Sequence, residues 1–297
     1  MTWANASDHP APVGRAGGKA LLVELGTHFV LLCAVCFALY PILWVISLAF
    51  SPGEAPEPRV IPLPDAVSTE HLVAVAGRTS DDGTWLFGLQ LLNSILISGA
   101  TAITAIAIAT PAAFALSRFD FVGAKESVRT LLATQMFPGV AAAIPLYLML
   151  DFLGLIDSRL GLILVYATTA VPFAIFQLRG AFDGIPKDLE EAAMVDGASR
   201  FGAFVRVVLP AARPALAVTT LFAFMTAWNE FILAATFMSR EEMFTLPVVL
   251  QRYVGEYDAN WGAFAAGAIV VSVPVMALFY FLQRHLVGGL TSGGVKG

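Results

Sequence analysis

Long uncharged runs, rather than an alternation of polar and apolar positions, set the pattern of this chain. No charged residue lies between Glu24 and Glu54, and the apolar part of that interval covers residues 25–50. The interval from Asp82 to Arg118 is again uncharged, densest in apolar residues over 89–116. Two shorter runs follow at 130–150 and 160–178, then one at 215–238 interrupted only by Glu230, and a last one at 259–283. Each is close to or longer than the ~20 residues a helix needs to cross the hydrocarbon of a bilayer. A charge at that depth costs several kcal/mol, so its absence marks a span. Backbone groups in lipid must be satisfied within the segment, which leaves helices or a closed barrel. Barrel strands would alternate over ~10 positions, and these runs do not. The pattern predicts an all-α polytopic membrane protein with six transmembrane helices.

Composition agrees. Of 297 residues 58% are hydrophobic and 13% charged, about half the charge of a soluble domain. A net charge of −5 argues against nucleic acid as a partner, since phosphate binding needs a basic surface. The first run is too long for a signal-peptide core and follows a polar tail, so it is expected to be retained as a helix. Cys33 and Cys36 form a C-x-x-C inside that run. With no further Cys or clustered His to complete a metal site, they are expected to be buried small apolar residues. With both termini cytoplasmic, twelve Lys and Arg face inward (15, 19, 118, 125, 129, 179, 187, 200, 206, 213, 284 and 296) and five outward (59, 78, 159, 240 and 252). The first outer loop also carries Glu54, Glu57, Asp65, Glu70, Asp81 and Asp82. That bias sets the expected orientation in the inner membrane.

The chain then divides into a cytoplasmic tail (1–24), a first span (25–50), an outer loop (51–88), a core of five further spans (89–287) and a cytoplasmic tail (288–297). Pro52, Pro56, Pro58, Pro62 and Pro64 predict an extended first loop. The third outer loop, 239–260, carries Tyr253 and Tyr257, with Trp261 beside it. These read equally as an interfacial aromatic belt or as contacts for a partner or a sugar face. The inner segment between Arg179 and Arg213 is the most informative. Pro186 suits a first helical turn, and Asp188, Glu190 and Glu191 suit the positive end of a helix. Asp196-Gly197 ends that helix in a left-handed turn, and residues 201–209 form a second amphipathic segment before Pro210 and Pro214. Helix, sharp turn and helix are expected; alone, the pattern also fits an interfacial hairpin. Glu230, the one acid within a span, reads either as a path residue with Asn229 beside it or as a structural acid capped by polar groups. Pro111, Pro145, Pro172 and Pro274 are expected as kinks and packing features.

Residues 191–210 carry Glu191-Ala192-Ala193, three residues, Gly197, nine residues, then Val207-Val208-Leu209-Pro210. This resembles the EAA motif of ABC importer permeases, E-A-A-x3-G-x9-I-x-L-P, departing from it only at Val207. Ala227-Trp228-Asn229-Glu230-Phe231 looks like a stretch of the carbohydrate-uptake class. The C-terminal Gly288-Gly-Leu-Thr-Ser-Gly-Gly-Val-Lys-Gly297 resembles the tail of MalG-like maltose permeases. The likeness covers essentially the whole chain and is weakest in the first outer loop.

The resemblance implies a type I ABC importer permease of MetI-like fold, for a di- or oligosaccharide of the maltose or trehalose class. It implies that loop 181–211 docks into an ATPase subunit through Glu190, Glu191, Ala192, Ala193, Asp196, Gly197, Leu209 and Pro210. It implies that Gly293, Gly294, Val295, Lys296 and Gly297 reach between the two ATPase subunits. By itself the glycine-rich tail suggests only flexibility. Gln251, Tyr253, Glu256 and Tyr257 would face an extracytoplasmic sugar-binding protein, though the polar set Arg252, Glu256 and Asp258 is this chain's own. Asn229 and Glu230 are candidates for the translocation path. The implied partners are a second, MalF-like permease, two ATPase subunits, the binding protein and the lipid membrane.

No catalytic constellation is present, and no G-x-x-x-x-G-K-[ST] stretch, so the chain is expected to be a transport subunit rather than an enzyme. It is expected to bind no cofactor or metal itself, with ATP and Mg held by the partner subunits. Permeases for other solutes, such as glycerol phosphates, polyols or oligopeptides, compete with the sugar reading. An ion-coupled carrier would need intramembrane acids or broken helices in paired halves, and a membrane enzyme would need clustered Asp, Glu or His at depth; neither is evident.

Overall fold

The computed structural model describes residues 18–53, 60–64, 66–255 and 259–293, with backbone alone for 18–20 and 284–293. Thirteen α-helices follow in order: α1 (Gly18–Phe50), α2 (Glu70–Ala76), α3 (Leu86–Arg118), α4 (Ala124–Gln135), α5 (Ala143–Phe152), α6 (Arg159–Asp183), α7 (Asp188–Val195), α8 (Arg200–Ala203), α9 (Leu209–Ala211), α10 (Arg213–Trp228), α11 (Ile232–Phe237), α12 (Leu246–Gln251) and α13 (Trp261–Gly293). Among the described residues β-structure is confined to two isolated bridges, Thr79–Trp85 and Val254–Ala259. The fold is all-α.

α3 and α6 form the centre, α10 packs on both, and α13 packs on α10 and α1. The buried face of α3 recurs every three or four residues (Ile97, Thr101, Ala105, Ala109 and Ala113) and meets Ala170 and Ala174 of α6. Small residues suit such a seam, because helices in lipid associate by close backbone approach rather than by hydrophobic exclusion.

Polar contacts sort the connecting loops to two ends. At the upper end, where α3 begins, Gln90 Nε2 donates to the Glu241 carbonyl and Asn93 Nδ2 to those of Glu242 and Phe244, while Ser94 Oγ accepts from the Leu246 amide. Asp157 Oδ1 accepts from the amides of Ser239 and Arg240. The Gly53 amide donates to Glu70, and the His71 ring fits against Gly262 at the start of α13. At the lower end Arg118, Asp183, Ile185 and Glu190 come together. α1, α3, α6 and α13 are each long and apolar enough to cross a membrane. Counting the pairs 124–152 and 200–228 as one pass each, the bundle is crossed six times, and α1 starts at the end where α13 finishes.

Several expectations change on contact with the structure. The run 130–150 is not one straight helix: α4 and the segment 139–152 meet at 92°. Pro138-Gly139 accounts for the break, since proline disfavours helix at the residue before it. The fifth run stops at Trp228 and restarts at Ile232, so residues 215–238 are two helices. The first outer loop is not extended throughout. His71 and Val75 are buried four residues apart, and that spacing lays α2 on α13. α13 continues helically through Gly288 and Gly289 to Gly293, a stretch whose glycines by themselves suggest flexibility. Cys33 and Cys36 are exposed on α1 rather than buried; an apolar run does not distinguish a lipid-facing side from a packed one.

Asn93 is fully buried and also accepts from Arg159 Nε at 2.7 Å. Asn93→Ala strands two carbonyls and a guanidinium nitrogen, a cost of about 1–3 kcal/mol. The expected result is a lower thermal midpoint in detergent together with faster proteolysis of the 239–252 segment. An unchanged midpoint would count against this role.

Candidate functional site

The lower end is built around α7 and its turn. Asp188, Glu190 and Glu191 occupy the first turn of α7, where the exposed amides favour negative charge. The helix closes in a Schellman motif: the Ala198 amide donates to the Ala193 carbonyl and the Gly197 amide to that of Met194, both at 3.0 Å. Gly197 sits at φ +90° as that motif requires. Ser199 then caps α8, its Oγ accepting from the Gly202 amide. Residues 204–208 form a π-helical turn that leads through Leu209 and Pro210 into α10, with a 75° bend between 200–211 and 213–228. π-turns concentrate at functional positions in helices.

The two neighbouring acids of α7 point differently. Glu190 is nearly buried and pairs with the Arg118 guanidinium at the end of α3, the side chains being 12% and 6% exposed. Arg118 Nη2 also donates to the Ile185 carbonyl at 2.9 Å, and Ser117 Oγ donates to Asp183. Beneath them Phe114 packs on Phe182 and Phe204. Asp188, Ala192 and Val195 are exposed at helical spacing on the face turned away from Glu190, Glu191 is exposed at the rim of the cleft that Glu190 also lines, and Val195 and Phe201 are among the most exposed apolar residues of the lower end. Ala193, Leu209 and Pro210 are half-buried, while Asp196 and Gly197 are exposed at the turn. That cleft, of about 200 Å³, opens between Arg118, Phe119, Lys187, Glu190, Glu191, Met194 and Arg200. The hairpin therefore presents an acidic and apolar ridge whose inner face is pinned.

Glu230 lies in the break between α10 and α11. Its Oε1 accepts from the Leu233 amide at 2.8 Å and its Oε2 from the Ala234 amide and from Tyr166 Oη at 2.7 Å. It thus satisfies the first amides of α11 and holds them to α6. Asn229 beside it is exposed and does not share these bonds. In the upper loop Gln251 is exposed at the end of α12. Tyr253 is half-buried against the core. Arg252 pairs with Glu241, which also holds Arg78, and its guanidinium lies over the Phe244 ring. Gly293 is the last residue of α13; Glu256, Tyr257 and Gly294, Val295, Lys296 and Gly297 lie outside the described residues. Among the described residues no group of three His, Cys, Asp or Glu side chains is placed to hold a metal.

Sequence reasoning did not find Arg118, Tyr166 or the Gln90–Asn93–Ser94 row. The last carried a signal, polar residues three or four apart inside an apolar helix. Arg118 and Tyr166 carried none, their partners lying 72 and 64 residues away.

Residues 111–292, which span both bent passes and the hairpin, match the family described as binding-protein-dependent transport system inner membrane component. The chain belongs to that family: it is a membrane subunit of an ABC importer, a transport component and not an enzyme. Among curated relatives it is 36% identical to the trehalose transport system permease protein SugB of Mycobacterium tuberculosis, over 89% of this chain and 94% of that one. It is equally similar, 36%, to the maltose/maltodextrin transport system permease protein MalG of Yersinia pestis, over 92% and 93%. Among solved structures it superposes with TM-score 0.70 and 26% identity on a chain of a bacterial ABC transporter involved in the import of the acidic polysaccharide alginate, covering 94% of this chain and 99% of that one.

Proposed function

We propose that this chain is one of two permease subunits of an ATP-driven importer for a di- or oligosaccharide. The observation that carries the reading is the α7 hairpin. Its EAA-type residues form a helix closed by a Schellman turn, with Glu191, Ala192 and Val195 outward, the form a rigid docking element needs. The similarity to trehalose and maltose permeases supports the sugar class, and glycerol phosphates or polyols are the competing solutes. Both termini are cytoplasmic in this reading, which the twelve-to-five distribution of Lys and Arg supports. The lower end then faces two ATPase subunits, which hold ATP and Mg, and the upper loop faces an extracytoplasmic binding protein. Glu191 meets basic groups of the ATPase, Ala192 permits close approach, and Gly197 makes the turn. The segment from Gly293 to Gly297 reaches toward the ATPase pair. In the upper loop Gln251, Glu256 and Tyr257 face the binding protein, and Tyr253 anchors the loop.

Transport follows from linkage. ATP must favour the closed ATPase pair, and loaded binding protein must favour the same permease state, or neither shifts the population. The test is a gentle detergent pull-down of the tagged chain from its native membrane, followed by uptake in proteoliposomes from a panel of maltose, trehalose, glycerol 3-phosphate and sorbitol. Recovery of an ATPase and a second permease, with ATP-dependent uptake of a disaccharide, is the expected result. Recovery of the chain alone, transporting without ATP, would overturn the reading.

A further inference from the structure

α7 packs chiefly on its own hairpin, on α8 and the π-turn. Its firmest link to the rest of the bundle is the nearly buried Glu190–Arg118 pair. Arg118 is the last residue of α3 and also grips the Ile185 carbonyl, while Ser117 next to it holds Asp183. The final turn of α3 is thereby stapled both to the root of the loop and to the helix itself. At its other end α3 is stapled again, through Gln90, Asn93 and Ser94, to the loop from Glu241 to Leu246. A helix of 33 residues spans roughly 50 Å.

We propose that Arg118 is a positioning residue that locks α7 to α3, so that a displacement of α7 reaches the upper loop through α3 as a rod. This rests on the docking reading above and deepens it. Of the two adjacent acids, Glu190 serves the lock and Glu191 the docking face. A buried ion pair is a poor source of net stability, but removal of one partner leaves the other charge stranded. What the pair contributes at this junction is therefore geometric: one guanidinium fixes two separate elements, a task that a lysine cannot do with the same planar fork.

Two measurements read the lock and its use separately. Hydrogen exchange of residues 185–195 in the permease reconstituted into nanodiscs reads the lock alone. Arg118→Gln and Glu190→Gln are expected to speed exchange on the order of 100-fold, with Arg118→Lys, which keeps the charge but not the planar fork, falling between. Unchanged exchange in the two Gln variants overturns the lock whether or not α7 docks.

The second measurement uses the assembled transporter, with Cys33→Ser and Cys36→Ser and a maleimide-reactive Ser239→Cys reporter, Ser239 being exposed in the upper loop. In the parent, trapping with Mg-ATP and vanadate is expected to change the labelling rate at that reporter several-fold. Arg118→Gln should abolish that response while the ATPase still copurifies, and Arg118→Lys should keep part of it. A full response in Arg118→Gln overturns transmission through α3. The docking reading is tested apart from both, by Glu191→Lys: continued copurification of the ATPase with an unchanged vanadate response would sink docking and leave the exchange result standing.

Discussion

Gly197→Pro abolishes uptake while the chain stays in the membrane at its normal level. Proline holds φ near −65°, whereas Gly197 sits at φ +90° and its amide donates to the Met194 carbonyl. The substitution removes that bond and forbids the turn, a local cost of about 3 kcal/mol or more. The turn lies before residue 200, outside the segments counted as passes, so insertion is expected to be unaffected. Gly197→Ala separates conformation from bulk. Nothing lies within 4 Å of a Cβ built there, so its only cost is the left-handed conformation, about 1–2 kcal/mol. Uptake in proteoliposomes, normalised to protein, is then expected to fall roughly 10-fold for alanine and more than roughly 100-fold for proline. Normal uptake by the proline variant would remove the hairpin from the coupling mechanism.

The second large effect is at Glu230. Glu230→Ala strands the amides of Leu233 and Ala234 and the hydroxyl of Tyr166, which is 1% exposed. Unsatisfied buried groups cost about 1–3 kcal/mol each, and a loss of about 3 kcal/mol lowers the thermal midpoint by roughly 6–12 °C. Glu230→Gln keeps one acceptor oxygen and is expected to fall between. The informative comparison is thermal midpoint in detergent against uptake. Both should decline together, because the acid holds α11 in place. Loss of uptake at an unchanged midpoint would instead assign Glu230 to the solute path.

The passes were legible because the physics that marks them is local: a charge at bilayer depth is costly wherever it sits in the chain. The α7 turn was legible for a similar reason, since Asp196-Gly197 after an acidic first turn states both ends of a short helix. The breaks were harder. Pro138-Gly139 is a visible signal, yet averaging over an apolar run hides it. The stop at Trp228 depends on Glu230 finding Tyr166 on another helix. Of the site, the outward residues of the hairpin could be chosen from their pattern. Glu190 could not be told from Glu191, because only the packed bundle brings Arg118 beside one of them. Tyr253 reads as a surface aromatic in sequence and proves to be an anchor against the core.

The pairing of α1 with α13 has a consequence for how the chain is made. The end of α1, Val45 to Phe50, packs with Ala263, Ala266 and Ile269 of α13, while most of the helix before it is exposed. Roughly 210 residues separate Phe50 from Trp261, a delay of about 10–40 s at usual rates of synthesis. Throughout that interval α1 lacks its main protein neighbour. At α1, a product truncated before α13 therefore differs from the finished subunit only in the last two turns, whose residues 45–50 are left without the α13 side chains that cover them.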